Sequence, residues 1–513
     1  MSPRTLLRQP GRLRTVSGPT DHVVVVGAGL AGLSATLRLV AAGRRVTVVE
    51  RAPGPGGRAG LLTRTTSEGT YRFDTGPTVL TMPDLIEDCL AAVGESLTDW
   101  LDLRPVSPLY RARYADGSSL DVHADTDRMA AEIERVIGGA EAAGFRRYVQ
   151  FVSALYRHEM RTFIDRNTDS PLDLLTGDLA RLVALGAFRR LSTKVGQYLH
   201  DPRTQRLYSF QSMYAGMSPY RALAVYAVIS YMDSVAGVYF PRGGLHAVPV
   251  ALAGAAERHG ARFRYGTTVS RIELRGRRAV AVHTENGERI AADAVVLTPD
   301  LPVAWRDLLG RTPPQVRRLR YSPSCFLLLA GSRQHFPQLA HHTIDFGQAW
   351  GEVFDELAAG RPMSDPSFLV TTPTRSDPDL APPGRAIYSV LFPTPHLAPR
   401  RGGHPLDWSR IAPAYREHVL RTLEDRGYPG FAEGIETEHV TTPHDWAASG
   451  LAAGTPFAAA HTLTQTGPFR PGNLWGENVV FAGSGTRPGV GVPMVLVSGR
   501  LAAERILGPT RSG

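Results

Sequence analysis

The sequence predicts an α/β protein in which a parallel, helix-flanked sheet is joined to a mixed-sheet part and a helical part. Three observations predict it. His22–Val26 is an unbroken apolar run, the mark of a strand buried on both faces, and Val46–Val49 is a second. Between them, Leu30–Val40 repeats its apolar residues at helical spacing, which gives β-α-β. The chain, at 513 residues, is also too long for one ordinary core, so two or three lobes are expected.

The turn after the first strand carries the clearest chemistry. Gly27-Ala28-Gly29-Leu30-Ala31-Gly32 leads from strand into helix. Gly27 suits a tight turn, Gly29 lets backbone approach a pyrophosphate, and Gly32 lets helix and strand pack closely. The helix start then offers unpaired N–H groups to phosphate. Glu50 closes the second strand, where an acid accepts ribose hydroxyls, and Arg51 follows it. An adenine dinucleotide on a Rossmann-type domain is the expectation. Gly56-Gly57-Arg58 comes next, with backbone N–H groups and a guanidinium suited to phosphate or a ring edge, then the turn Asp74-Thr75-Gly76-Pro77.

Further along, Gly243 to Arg258 reads as a helix opened by glycines. Strands are expected from Ala261 to Pro299, among them one carrying Val269 and another at Ala294–Leu297. Asn286-Gly287 is expected to turn a hairpin with both residues at positive φ. Near the C-terminus, Asn478–Phe481 reads as a strand. A loop from Gly483 through Thr486 to Gly491 then enters a helix at Val492-Pro493, which Gly508-Pro509 closes. Two stretches are less legible: residues 147–233 are helical in pattern and rich in aromatics, and 311–441 mix short strands with Pro-rich turns.

Composition excludes several classes. At 43% hydrophobic and 20% charged the chain is globular. The net charge is +9, almost all from arginine, with Lys194 the single lysine. The arginines are scattered, and no recognised module accompanies them, so nucleic acid is not an expected partner. Cys89 and Cys325 stand far apart, which leaves no disulfide framework or metal spacing and fits a reducing compartment. Residues 1–20, polar and Arg-rich, read as a disordered extension rather than a signal peptide. Ala222–Met232, bounded by Arg221 and Asp233, is too short to span a bilayer.

The G-G-R followed by D-x-G-P resembles the flavoprotein superfamily of amine oxidases, protoporphyrinogen oxidases and carotenoid desaturases. The run Gly483-Ser-Gly485-Thr486-Arg487-Pro488-Gly489-Val-Gly491-Val492-Pro493 is similar to the segment that closes over the flavin in bacterial-type phytoene desaturases, especially actinobacterial ones. Gly237–Gly244, Leu339–Thr343 and Gln465–Asn473 look like stretches of the same family, and the likeness covers about 21–508. Arg487 departs from it, since members often carry His there.

The resemblance implies FAD as cofactor, held by Gly27 to Gly32, Glu50, Arg51, Gly56, Gly57, Arg58, Thr75, Gly76, Pro77, Val269, Gly483, Thr486, Gly491 and Val492. It implies a discontinuous FAD-binding domain (21–105, 237–310, 442–513), a substrate domain (106–146, 311–441) and a helical lid or membrane-associating region (147–236). The expected substrate is a long apolar isoprenoid, phytoene or a related carotene, dehydrogenated stepwise towards lycopene by hydride transfer to flavin with loss of a neighbouring proton. Binding would rest on burial and shape, through an apolar tunnel, at the inner face of the cell membrane. Asp173 is a candidate proton acceptor by resemblance, and His341-His342 a second. The rival readings are a related carotenoid oxidoreductase (another desaturase, a ketolase or an isomerase), a flavin amine oxidase, which commonly uses a lysine that this chain has only at Lys194, and a prenyl-lipid binder of the Rab escort type that uses no FAD.

Overall fold

The computed structural model describes residues 13–169, 173, 175–399 and 404–509. The first sheet has six strands in the order Leu474–Trp475, Val479–Phe481, Ala294–Leu297, His22–Val26, Arg45–Val49, Arg262–Arg264. All its neighbours run parallel except the Leu474–Trp475 edge. Val23, Val24 and Val25 are wholly buried at its centre, as an all-apolar strand between two helical layers must be. Chain order reverses beside this strand, and ligands of such sheets bind outside the carboxyl ends at that point.

Helix Leu30–Ala41 lies against helix Val492–Leu507 with almost no space between them. A Cβ at Gly499 would stand 2.3 Å from the Ala31 carbonyl oxygen and 2.7 Å from the Ser34 Cβ. The Ser34 hydroxyl bonds to the Leu496 carbonyl across the same contact at 2.6 Å. The C-terminal helix is thereby fixed to the helix that starts the phosphate loop.

The second sheet has seven strands: Ile435–Thr441, Ser324–Ser332, Ala386–Thr394, Phe368–Thr371, His342–Asp345, Tyr110–Arg113, Ser119–Val122. It is antiparallel apart from the pair His342–Asp345 with Tyr110–Arg113. Alternation assigns its faces. Phe326, Leu328, Val370, Tyr388, Val390 and Phe392 pack on the helix Trp408–Asp425, while Leu327, Leu369 and Leu391 point the other way, into a cavity. The Pro-rich turns of this region gave no sign of that 18-residue helix, which carries Pro413 within it.

A smaller sheet, Val269–Arg275, Arg278–Thr284 and Arg289–Ala291, includes the hairpin expected at Asn286-Gly287. One detail differs. Gly287 has φ +87°, whereas Asn286 is not among the positive-φ residues. The Gly287 amide bonds back to the Thr284 carbonyl and the Thr284 amide to Glu288, so a longer loop needs positive φ at one position only. The helix expected from Gly243 begins at Ala247, because Gly243 and Gly244 turn with φ +84° and +88°.

The described residues of 139–234 are largely helical, with Gly139–Glu159 the longest element and Val228–Ser234 packed against it. Its aromatics mostly stack on one another: Tyr148 on Tyr208, and Phe151 on Tyr198. The chain before the first strand is tied down from Arg14, since the Arg505 guanidinium donates to the Arg14 carbonyl and the Val16 amide to Arg505. Residues 1–12 lie outside the described residues. Gly499→Leu is expected to destabilise the fold by about 2 kcal/mol or more through overpacking. Thermal denaturation, read as a lowered Tm, checks this.

Candidate active site

Where the sheets converge lies a cavity of about 1370 Å³. Pockets for one small ligand run to about 300–1,000 Å³, so this one has room for a dinucleotide and a second long molecule.

At the first sheet the walls are backbone. The Gly56 amide bonds to the Ala28 carbonyl at 2.9 Å, and Gly29 and Gly56 form a parallel bridge. Gly27 has φ +103°, and a Cβ there would lie 2.2 Å from the Thr298 hydroxyl. Glu50 accepts the Ala28 amide at 2.7 Å and the Ala52 amide at 2.8 Å. It therefore clamps the phosphate loop to the second strand while facing the cavity. Gly76 could carry no side chain, because a Cβ would lie 2.0 Å from the Arg58 carbonyl oxygen. Asp74 anchors this turn by accepting the amides of Leu245 and His246 ahead of helix Ala247–Arg258. Burial lifts its carboxyl to about 6.

Opposite stands the loop 483–491. Its conformation is set by Arg470, which is 0% exposed. The guanidinium donates to the carbonyls of Thr486, Gln465, Ala459 and Ser484, and to no carboxylate. Burial lowers its pKa to about 10, so it stays a cation at neutral pH. Arg58 donates to the Ser484 hydroxyl at 2.6 Å and to the Pro456 carbonyl. The first turn of helix Val492–Leu507, residues Val492 to Val495, lines the cavity; Pro493 has no N–H and the Val495 amide bonds to the Gly491 carbonyl at 2.9 Å, so Val492 and Met494 are the amides it can offer.

Of the residues expected to hold the dinucleotide, Gly27, Gly29, Leu30, Ala31, Glu50, Arg51, Gly56, Gly57, Arg58, Thr75, Gly76, Pro77, Val269, Gly483, Gly491 and Val492 line this cavity. Ala28, Gly32 and Thr486 stand behind its wall. Gly32 touches backbone, with 2.1 Å from a Cβ there to the Gly27 carbonyl oxygen, and the Thr486 hydroxyl bonds to the Pro471 carbonyl at 2.9 Å. Asp173 is absent from the lining, and its carboxylate accepts the Asp169 amide at 2.9 Å. His341 sits beneath the Pro77–Thr78 turn, its Nε2 3.3 Å from the Thr78 carbonyl, whereas His342 lines the cavity. Burial pushes them down to about 4 and about 3, so both are neutral and poor proton acceptors.

Carboxyl groups missed in the sequence also line the cavity: Glu159, Asp233, Glu285, Asp300 and Asp307. Burial raises Glu159 well above the usual carboxylate range and Asp233 to about 7. The legible signal for Asp233 was its place at the end of the apolar run Ala222–Met232.

A backbone cradle on a parallel sheet, faced by a glycine-rich cap with buried arginines, fits FAD, and the protein is an FAD-dependent oxidoreductase. Residues 30–507 match the family described as flavin containing amine oxidoreductase. Phytoene dehydrogenase of Streptomyces griseus is 57% identical over 96% of this chain and 97% of its own. A zeta-carotene-forming phytoene desaturase of Myxococcus xanthus is 38% identical over 95% and 94%. An oxidoreductase structure from Methanosarcina mazei shares the fold, with TM-score 0.61, 16% identity and 93% and 99% of the two chains covered. The chain belongs to the phytoene desaturases within the flavin-containing amine oxidoreductases.

Glu50→Ala is expected to weaken FAD binding at least tenfold, since hydrogen bonds to a charged group contribute ~1.5–3 kcal/mol. Flavin absorbance retained after ultrafiltration measures this. Arg470→Met leaves buried carbonyls without their donor, and the cap is expected to loosen at a cost of about 3 kcal/mol. Differential scanning calorimetry of the holoprotein reads that loss.

Proposed function

We propose that this protein dehydrogenates a carotene of the phytoene type, and that the half of the cavity beyond the cofactor cradle holds the hydrocarbon. The observation that carries the reading is the character of that wall. Leu327, Leu391 and Leu369 stand side by side in register on the seven-stranded sheet, and Val225, Ile229 and Met232 come from the helical side. A hydrocarbon chain has no polar handle, and burial at about 0.8 kcal/mol per CH₂ supplies its affinity. FAD, when bound, supplies the hydride acceptor.

An amine substrate finds little support. Lys194 is absent from the cavity lining, and its ammonium lies over the rings of Phe151 and Tyr198 at 4.8 and 5.2 Å.

The same reading places the cavity mouth against a lipid surface, at the inner face of the cell membrane. Leu463 and Phe469 are 57% and 53% exposed, and Phe188 is 39% exposed, yet all three line the cavity. Leu175 and Val183 add exposed apolar surface beside Leu179. Large side chains left in water at an opening suit a partner that is itself apolar. Among the described residues no helix is long and apolar enough to cross a membrane.

Expression in cells that accumulate phytoene is expected to yield coloured, more conjugated carotenes. Colourless cells containing FAD-loaded protein would overturn the substrate. The double variant Leu463→Asp, Phe469→Asp is expected to reduce co-sedimentation with phosphatidylglycerol vesicles at least tenfold without loss of bound FAD, each burial being worth ~1.5–3 kcal/mol.

A further inference from the structure

We propose that Asp233 is the catalytic residue that takes up the proton in each dehydrogenation, an assignment that rests on the carotene reading above. Helix Val228–Ser234 turns Val228, Ile229, Met232 and Asp233 to the cavity, so an ionisable group interrupts an otherwise apolar face. A carboxyl placed there has to be offset elsewhere in the fold, and the surroundings show how.

The Ser234 hydroxyl donates to Asp233 Oδ1 at 2.8 Å and stands 2.8 Å from the Tyr110 hydroxyl, which also accepts from Gln211 at 3.3 Å. One turn back, Tyr148 donates to Ser230 at 3.1 Å. The titratable groups facing Asp233 are Tyr110 from the sheet, Tyr148 from the long helix, and Tyr208 and Tyr214 from the segment between. Burial holds all four phenols neutral. Among the described residues no arginine or lysine forms an ion pair with Asp233. A structural buried aspartate is ordinarily locked by a cation, and this one is held instead by the Ser234 hydroxyl and the Gln211 side chain.

Its place relative to the cofactor follows from register. Thr343 pairs with Arg111, which sets His342 beside Tyr110, and His341 bonds to the Thr78 carbonyl of the cofactor turn. A polar band thus runs from that turn along the strand ends to Asp233, beside the leucine row. Asp233 and the leucine row line the same cavity as that turn, so a substrate chain held there would share it with both.

The step balances. One carbon loses hydride to the oxidised flavin. The neighbouring C–H gives its proton to the Asp233 carboxylate, and its electron pair becomes the new π bond. The proton is given up to solvent entering the cavity once the product has left, and the carboxylate is restored.

The other acids of the cavity are engaged differently. Glu50 is held by two loop amides, Asp300 accepts the Ala452 amide beside Arg58, Asp307 pairs with Arg306, and burial pushes Glu159 well above the usual carboxylate range, towards the uncharged acid. Asp233, raised to about 7, is ionised in a useful fraction at neutral pH.

The test is anaerobic flavin reduction by phytoene in phosphatidylglycerol liposomes, on FAD-loaded protein. Wild-type reduction should quicken as pH rises from 6 to 8. Asp233→Asn should keep its FAD, slow at least ~100-fold and lose the pH dependence, whereas Asp233→Glu should retain the dependence at a reduced rate. A second readout needs no turnover. A carboxyl whose folded pKa is raised costs stability progressively from its unfolded pKa of about 4 up to about 7, and in full above that. Asp233→Asn should therefore melt above wild type at pH 8, with the gap closing towards pH 4. Asn and wild-type rates within about threefold, or an unchanged pH profile, would overturn the assignment. Wild-type holoprotein that phytoene never reduces would overturn the carotene reading, and this assignment with it.

Discussion

Backbone lying directly on backbone holds the cofactor cleft in shape, and the rest of the site depends on those contacts. Gly27 on Gly32, Gly56 on Ala59, Gly76 on Arg58 and Gly499 on Ala31 are four such meetings. At each a glycine leaves no room for a Cβ, which sets how closely the segments approach. Buried peptide groups at these places must still be paired, and they are, through Glu50, Asp74, Ser498 and Arg470. Glycine brings the segments together, and a few polar side chains stop them sliding.

This division explains what the sequence disclosed. The β-α-β unit, the acid at Glu50 and the C-terminal loop were legible because steric need at a glycine and hydrogen-bonding need at an acid are local. Asp74 was legible as part of a turn, but its partners Leu245 and His246 are far along the chain, so its role as a tie between two motifs was not. Arg470 belonged to a recognisable stretch whose meaning appears only when the carbonyls of a distant loop are set around it.

The seven-stranded sheet shows the same limit. Its strands are short or interrupted by prolines in sequence, and which face meets the cavity depends on a register that pairs Leu391 with both Leu327 and Leu369. Asp233 was passed over for a related reason. At the end of an apolar run a charged residue reads as the boundary of a buried segment, and only the enclosure supplied by Tyr110, Tyr148, Tyr208 and Tyr214 shows that it lies inside.

The buried guanidiniums around the cap have one more consequence. Arg470 is bound only to carbonyl oxygens, and Arg58, also deeply buried, faces Asp300, whose own burial favours the uncharged acid. Positive charge in this cleft is therefore incompletely matched by negative charge, and little water is present to screen it. Arg58 and Arg470 would supply a positive field to a flavin ring held against the cap, one that would favour its reduced form.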